Sequence, residues 1–168
     1  ITHGSLSLAA PYTYPFRISQ MLKCDYYNLG FAGSAHMEKA MAEYIVSRND
    51  WDFASVEMGV NMLKPDYSVD LFEERISEFV DILARDSRLV FATSIFGFIG
   101  PEQDKAKCYR DIVRRYASDK FIFTDGLELL NNPAYISADL IHPTLEGMAQ
   151  ISERWGEIMK SYLITKGD

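Results

Sequence analysis

Apolar residues at Val69, Phe72, Ile76, Phe79, Val80 and Leu83 recur at the three- and four-residue spacing that lines one face of a helix, behind Ser68 as a capping residue. The same period predicts four more amphipathic helices. Tyr14, Ile18, Met21 and Leu22 form one stripe, opened by Thr13 and Pro15, a cap and a helix-starting proline. Met37, Ala40, Met41, Tyr44 and Ile45 form another, and Ala106, Tyr109, Val113 and Tyr116 a third. Leu145, Met148, Trp155, Ile158, Met159 and Tyr162 complete the set behind Thr144.

Between these stripes lie short apolar runs at Tyr26–Leu29, Phe53–Met58, Leu89–Thr93 and Phe121–Thr124, too short for helices and rich in aromatic and β-branched residues. They are expected to be buried parallel strands. Strict alternation of strand and helix predicts βαβ units: a three-layer α/β/α sandwich around a flavodoxin-like parallel sheet of order 2-1-3-4-5. The chain opens on a polar loop, Ile1-Thr2-His3-Gly4, rather than on a strand. The central first strand is therefore expected upstream of Ile1.

Composition narrows the classes. The 168 residues are 48% hydrophobic and 24% charged, enough to bury a core, and a single domain over 1–168 is expected. A net charge of -7 disfavours an electrostatic grip on nucleic acid or anionic lipid. No apolar run approaches the roughly 18 residues of a spanning helix, so the chain reads as soluble. Cys24 and Cys108 stand far apart with no metal-type spacing, and read as idle thiols that fit a reducing interior such as the cytoplasm, with export left open.

In an open parallel sheet, chemistry gathers beyond the carboxyl ends of the strands. Asp139-Leu140-Ile141-His142-Pro143-Thr144 follows the last strand, and a carboxylate three residues before a histidine, on a bend ending at a helix cap, lets the two side chains meet. Asp139 would hold one ring nitrogen and leave the other free to take a proton; a structural histidine is the plain alternative. Gly33 and Asn61 end two other strand loops and could supply NH donors to a developing oxyanion. Gly33 could equally relieve strain in a turn, and Asn61 could cap the loop before Pro65. Ser5, Ser7 and Ser34 read as caps or surface hydroxyls, and His3 and His36, without a nearby acidic partner, as rim or surface residues. Glu57 and Asp125 could pair as carboxylates, although structural hydrogen bonding suits both. No further ligands group near Asp139 and His142 to hold a metal.

Taken in order, Ile1-Thr2-His3-Gly4, Asn28-Leu29-Gly30-Phe31-Ala32-Gly33, Gly59-Val60-Asn61 and Asp139-Leu140-Ile141-His142-Pro143 resemble the sequence blocks of SGNH (GDSL-type) hydrolases, and span nearly the whole chain. The resemblance implies a serine ester hydrolase without a cofactor. Its nucleophilic serine would stand immediately before Ile1, with His142 as base, Asp139 as its partner, and Gly33 and Asn61 sharing the oxyanion hole with the serine amide. Two features depart from the family pattern: Met62 follows Asn61 where an aspartate is common, and the serine lies outside the given residues.

The implied partner is a small-molecule ester, with short-chain or acetyl esters, including those of carbohydrates, as the default. Phe96, Phe98, Ile99 and Tyr135 in the strand-end loops suggest an apolar wall but name no ligand. A catalytically inactive ligand-binding relative on the same fold is the alternative. A flavodoxin or receiver domain would need a phosphate-cradling loop or an acidic cluster near the first strand, which the opening residues do not offer.

Overall fold

A computed structural model describes residues 1–164. In chain order its main elements are α1 (Tyr14–Leu22), α2 (Lys39–Ser47), β1 (Phe53–Glu57), α3 (Val69–Leu83), β2 (Leu89–Thr93), α4 (Gln103–Ala117), β3 (Ile122–Thr124), α5 (Gly126–Leu129) and α6 (Leu145–Ile164). Short 3-10 turns lie at Ala10–Tyr12, Val60–Met62 and Pro133–Tyr135. The α/β class stands. The chain divides into two compact units, one of Ile1–Gly33, Phe96–Gly100 and the chain from Leu127 on, the other of Ser34–Ile95 and Pro101–Gly126.

The second unit carries the sheet. β1 and β2 run parallel, from Phe53 opposite Leu89 to Glu57 opposite Thr93, and β2 and β3 pair in parallel from Phe91 opposite Ile122. The order β1-β2-β3 is what the 3-4-5 part of the expected topology requires. Its helices α3 and α4 are the crossovers. Ser68 accepts the Leu71 amide at 3.1 Å and starts α3, whose stripe from Phe72 to Leu83 is buried as its period predicts. Phe72 stacks flat on Tyr109 of α4, centroids 3.6 Å apart, and the Tyr109 hydroxyl donates to the Met62 carbonyl at 3.2 Å. Burying side chains of this size contributes roughly 1.5–3 kcal/mol each. Near the starts of β1 and β2, Arg88 lies 3.4 Å over the Trp51 ring and donates to the Trp51 carbonyl and to both Asp86 oxygens.

In the first unit α1 packs along α6. Thr13 caps α1 by accepting the Phe16 amide, and Tyr14 sits in an aromatic cluster, 5.9 Å from Trp155 and 5.9 Å edge-on from Phe96. Phe96 is thus core rather than part of an apolar wall.

Three expectations change. Tyr26–Leu29 is not a strand and its tyrosines are exposed. A strand exists only through a ladder, and among the described residues none pairs with this run. Helix α2 starts at Lys39 because Met37 takes a left-handed backbone at φ 55; Ala42 faces the core while Ala40 and Tyr44 are exposed. Tyr162, at the far end of the last stripe, is also exposed.

Candidate active site

The ten residues from Tyr135 to Thr144 close into a loop in the first unit. The Thr144 amide donates to the Tyr135 carbonyl at 2.8 Å, Ile136 and Pro143 form an antiparallel bridge, and the Ser137 amide donates to the His142 carbonyl at 2.8 Å. Leu140 turns the tip at φ 66, a left-handed backbone uncommon for a branched residue. Its carbonyl accepts the amides of Ile99 at 2.8 Å and Gly100 at 3.0 Å, which ties the tip to a neighbouring strand-end loop.

This closure places Asp139 against His142. Oδ1 of Asp139 accepts the amides of Ile141 at 3.0 Å and His142 at 2.9 Å and the Ser137 hydroxyl at 2.7 Å, while Oδ2 lies 2.5 Å from Nδ1 of the His142 ring. An ionised carboxylate only accepts, so Nδ1 carries the hydrogen, and in the neutral ring the lone pair then falls to Nε2. Partial burial alone would raise the Asp139 carboxyl. The His142 amide, the Ser137 hydroxyl, the His142 ring and the Ile141 amide outweigh it and hold the group well below the usual carboxylate range. The His142 side chain is 26% exposed, open enough for a substrate to reach.

Gly33 belongs to the same unit and lies exposed at φ 72. A Cβ built there meets nothing within 4 Å, so the backbone conformation, rather than crowding, calls for glycine. The turn reading of Gly33 therefore holds whatever else the residue does. Asn61 lies in the other unit, inside the 3-10 turn that follows the carboxyl end of β1. Met62, the departure from the family pattern, is fully buried, and its apolar side chain serves the core.

The opening residues are held to the Asn28–Gly33 loop. The Asn28 amide group donates to the Thr2 carbonyl at 2.9 Å while its oxygen accepts the Gly30 amide at 2.9 Å, and the His3 ring donates from Nδ1 to the Gly30 carbonyl at 2.8 Å. A side chain on Gly30 would come within 2.5 Å of the His3 backbone nitrogen, so only glycine permits this approach. Thr2 and Tyr14 share a hydroxyl hydrogen bond at 2.6 Å. In the sequence Asn28 and Gly30 stand in a block without an assigned role, and Ser137 stands just before one; position is their one signal.

His36 has an acidic partner after all: Glu38, two residues on, lies 3.4 Å from its ring, which also packs on Tyr67 at 5.0 Å. Asp125 pairs with Arg114, and Glu57 has one buried carboxyl oxygen without a hydrogen-bond partner among the described residues. The Ser7 hydroxyl is buried without such a partner as well, neither a cap nor a surface group. Among the described residues no three His, Cys, Asp or Glu side chains group to hold a metal, and no helix is long and apolar enough to cross a membrane.

No family model and no curated protein matches the chain. Solved structures do. A salicylyl-acyltransferase from a tetracycline biosynthetic pathway superposes with a TM-score of 0.77 at 18% identity, over 96% of this chain and 52% of its own. A GDSL-like lipase from Bacteroides ovatus gives 0.75 at 17% identity, over 91% of this chain and 48% of its own. Axe2, an acetylxylan esterase from Geobacillus stearothermophilus, gives 0.71 at 19% identity, over 90% and 82%. The chain spans about half the length of the first two. It has the SGNH-hydrolase fold.

Proposed function

We propose that this chain forms the larger part of a single SGNH hydrolase domain that cleaves carboxylic esters through an acyl-enzyme. The observation that carries the reading is the Asp139–His142 pair, with the carboxylate on Nδ1 and Nε2 left as the base. The nucleophile is assigned to a serine immediately before Ile1. His142 Nε2 takes the serine proton as the hydroxyl oxygen bonds to the ester carbonyl carbon, and the carbonyl oxygen gains the negative charge. The Gly33 amide and the Asn61 side-chain NH are assigned to that charge, beside the serine's own amide. When the carbonyl re-forms, the bond to the leaving alkoxide breaks and His142 returns the proton to it as an alcohol. Water then repeats the sequence on the acyl-serine and releases the acid.

The similar acyltransferase favours a second use of the same intermediate, in which an acceptor alcohol replaces water. Small acyl groups, acetyl above all, are the substrate class we assign, supported by the likeness to an acetylxylan esterase. A series of p-nitrophenyl esters of graded acyl length, given to the chain with its upstream segment, tests the reading: release should be fastest for acetyl and be lost in His142→Ala. Equal release by the His142→Ala variant overturns it.

A further inference from the structure

Asp139 sits on an exposed loop, where a carboxylate is free to swing and exchange its two oxygens. Here the oxygens have separate tasks. Oδ2 faces the His142 ring alone, and Oδ1 collects three donors. Two of these, the Ile141 and His142 amides, lie on the carboxyl side of the aspartate and come with the turn itself. The third is a side chain from the amino side: the Ser137 hydroxyl, at 2.7 Å.

Ser137 is itself held on both faces of its peptide. Its amide donates to the His142 carbonyl at 2.8 Å and its carbonyl accepts the Leu140 amide at 2.9 Å, so the hydroxyl is carried on a rigid crossing of the loop. A short hydroxyl-to-carboxylate bond is charge-assisted and directional. With amides on one side of Oδ1 and a hydroxyl on the other, rotation of the carboxylate would break all three bonds at once. We propose that Ser137 is a positioning residue, which locks Oδ1 of Asp139 so that Oδ2 stays on the His142 ring. This rests on the reading of Asp139 and His142 as the acid and base of an esterase.

The test uses the chain with its upstream segment, as wild type, Ser137→Ala and Ser137→Thr. Two readouts are taken: turnover of p-nitrophenyl acetate, and NMR of the molecule itself, through the Asp139 carboxyl carbon titration and the downfield proton on His142 Nδ1. Loss of the hydroxyl should lower kcat by about ten-fold with KM little changed, as expected for one hydrogen bond to a charged group. It should also move the Asp139 titration upward and broaden or shift the Nδ1 proton, and Ser137→Thr should restore all three. An Asp139 titration and Nδ1 proton that stay put in Ser137→Ala overturn the proposal, as does loss of turnover that threonine does not restore. The NMR arm decides on Ser137 even where wild type shows no turnover, an outcome that would sink the esterase reading instead.

Discussion

Asp139 grips His142 at two points, the backbone amide through Oδ1 at 2.9 Å and the ring through Oδ2 at 2.5 Å. One side chain thereby sets both the path of the loop and the tautomer of the imidazole. Asp139→Asn presents an amide that can turn its NH2 toward the ring and reverse the tautomer. Esterase turnover should fall by about three to four orders of magnitude, by analogy with triads whose aspartate is amidated. Steady-state kinetics on p-nitrophenyl acetate, with circular dichroism to confirm folding, gives the answer; a loss under ten-fold contradicts the assignment.

Asn61 supplies a test in the other unit. Replacing an oxyanion donor typically costs roughly 3–4 kcal/mol in the barrier, so Asn61→Ala should cut kcat by about two to three orders of magnitude. Because the following Met62, rather than Asn61, fills the core, thermal stability should change little. Near-normal turnover would remove Asn61 from the site.

Gly33 separates backbone from contact. At φ 72 with open space around a notional Cβ, Gly33→Ala should destabilise by about 1 kcal/mol through left-handed strain alone. Gly33→Asn should be tolerated better, since asparagine visits that region more readily. Denaturant titration of the two variants checks this, and equal losses would point to contact rather than conformation.

Stability should fall in acid. Both Asp139 and Asp86 have folded-state values below the ordinary one, Asp86 at about 2 because the Arg88 side chain and then the Arg88 amide donate to it. A depressed carboxyl stabilises the fold above its unfolded value and loses that contribution as pH falls through the folded value. The window for Asp86 therefore runs from about 4 down to about 2. Asp86→Asn should cost on the order of 1 kcal/mol at neutral pH, after allowance for solvent screening, and flatten the acid slope. Urea melts from pH 6 to 2 read both; an unchanged slope would show the Arg88 pairing to be energetically idle.

Much of the scaffold could be read before any coordinates. The stripe from Val69 to Leu83 and the run Leu89–Thr93 coincide with α3 and β2, because a long period-3.6 face and a bounded β-branched run each bury what they display. Tyr26–Leu29 failed because strand formation depends on a partner as well as on composition. Met37 misled because a single left-handed residue stops a helix that periodicity would extend. At the site, the spacing of Asp139 and His142 allowed their side chains to meet, since three residues on a bend suffice, but it left a structural histidine open, and the assigned roles came with the resemblance. Ser137 was not legible, because a serine two residues before an aspartate is compatible with many loops, and only the closure of Tyr135 onto Thr144 aims its hydroxyl.

The claim on which the rest depends is that a hydroxyl immediately before Ile1 reacts under the control of His142. Treating the chain and its upstream segment with a fluorophosphonate, then mapping the adduct by peptide mass spectrometry, tests it most directly. The account predicts one adduct, on a serine adjoining Ile1, formed at least a hundred-fold more slowly in His142→Ala, on the order of the loss for a missing general base. An adduct on Ser5, Ser7 or Ser34, or equal labelling without the imidazole, would contradict it.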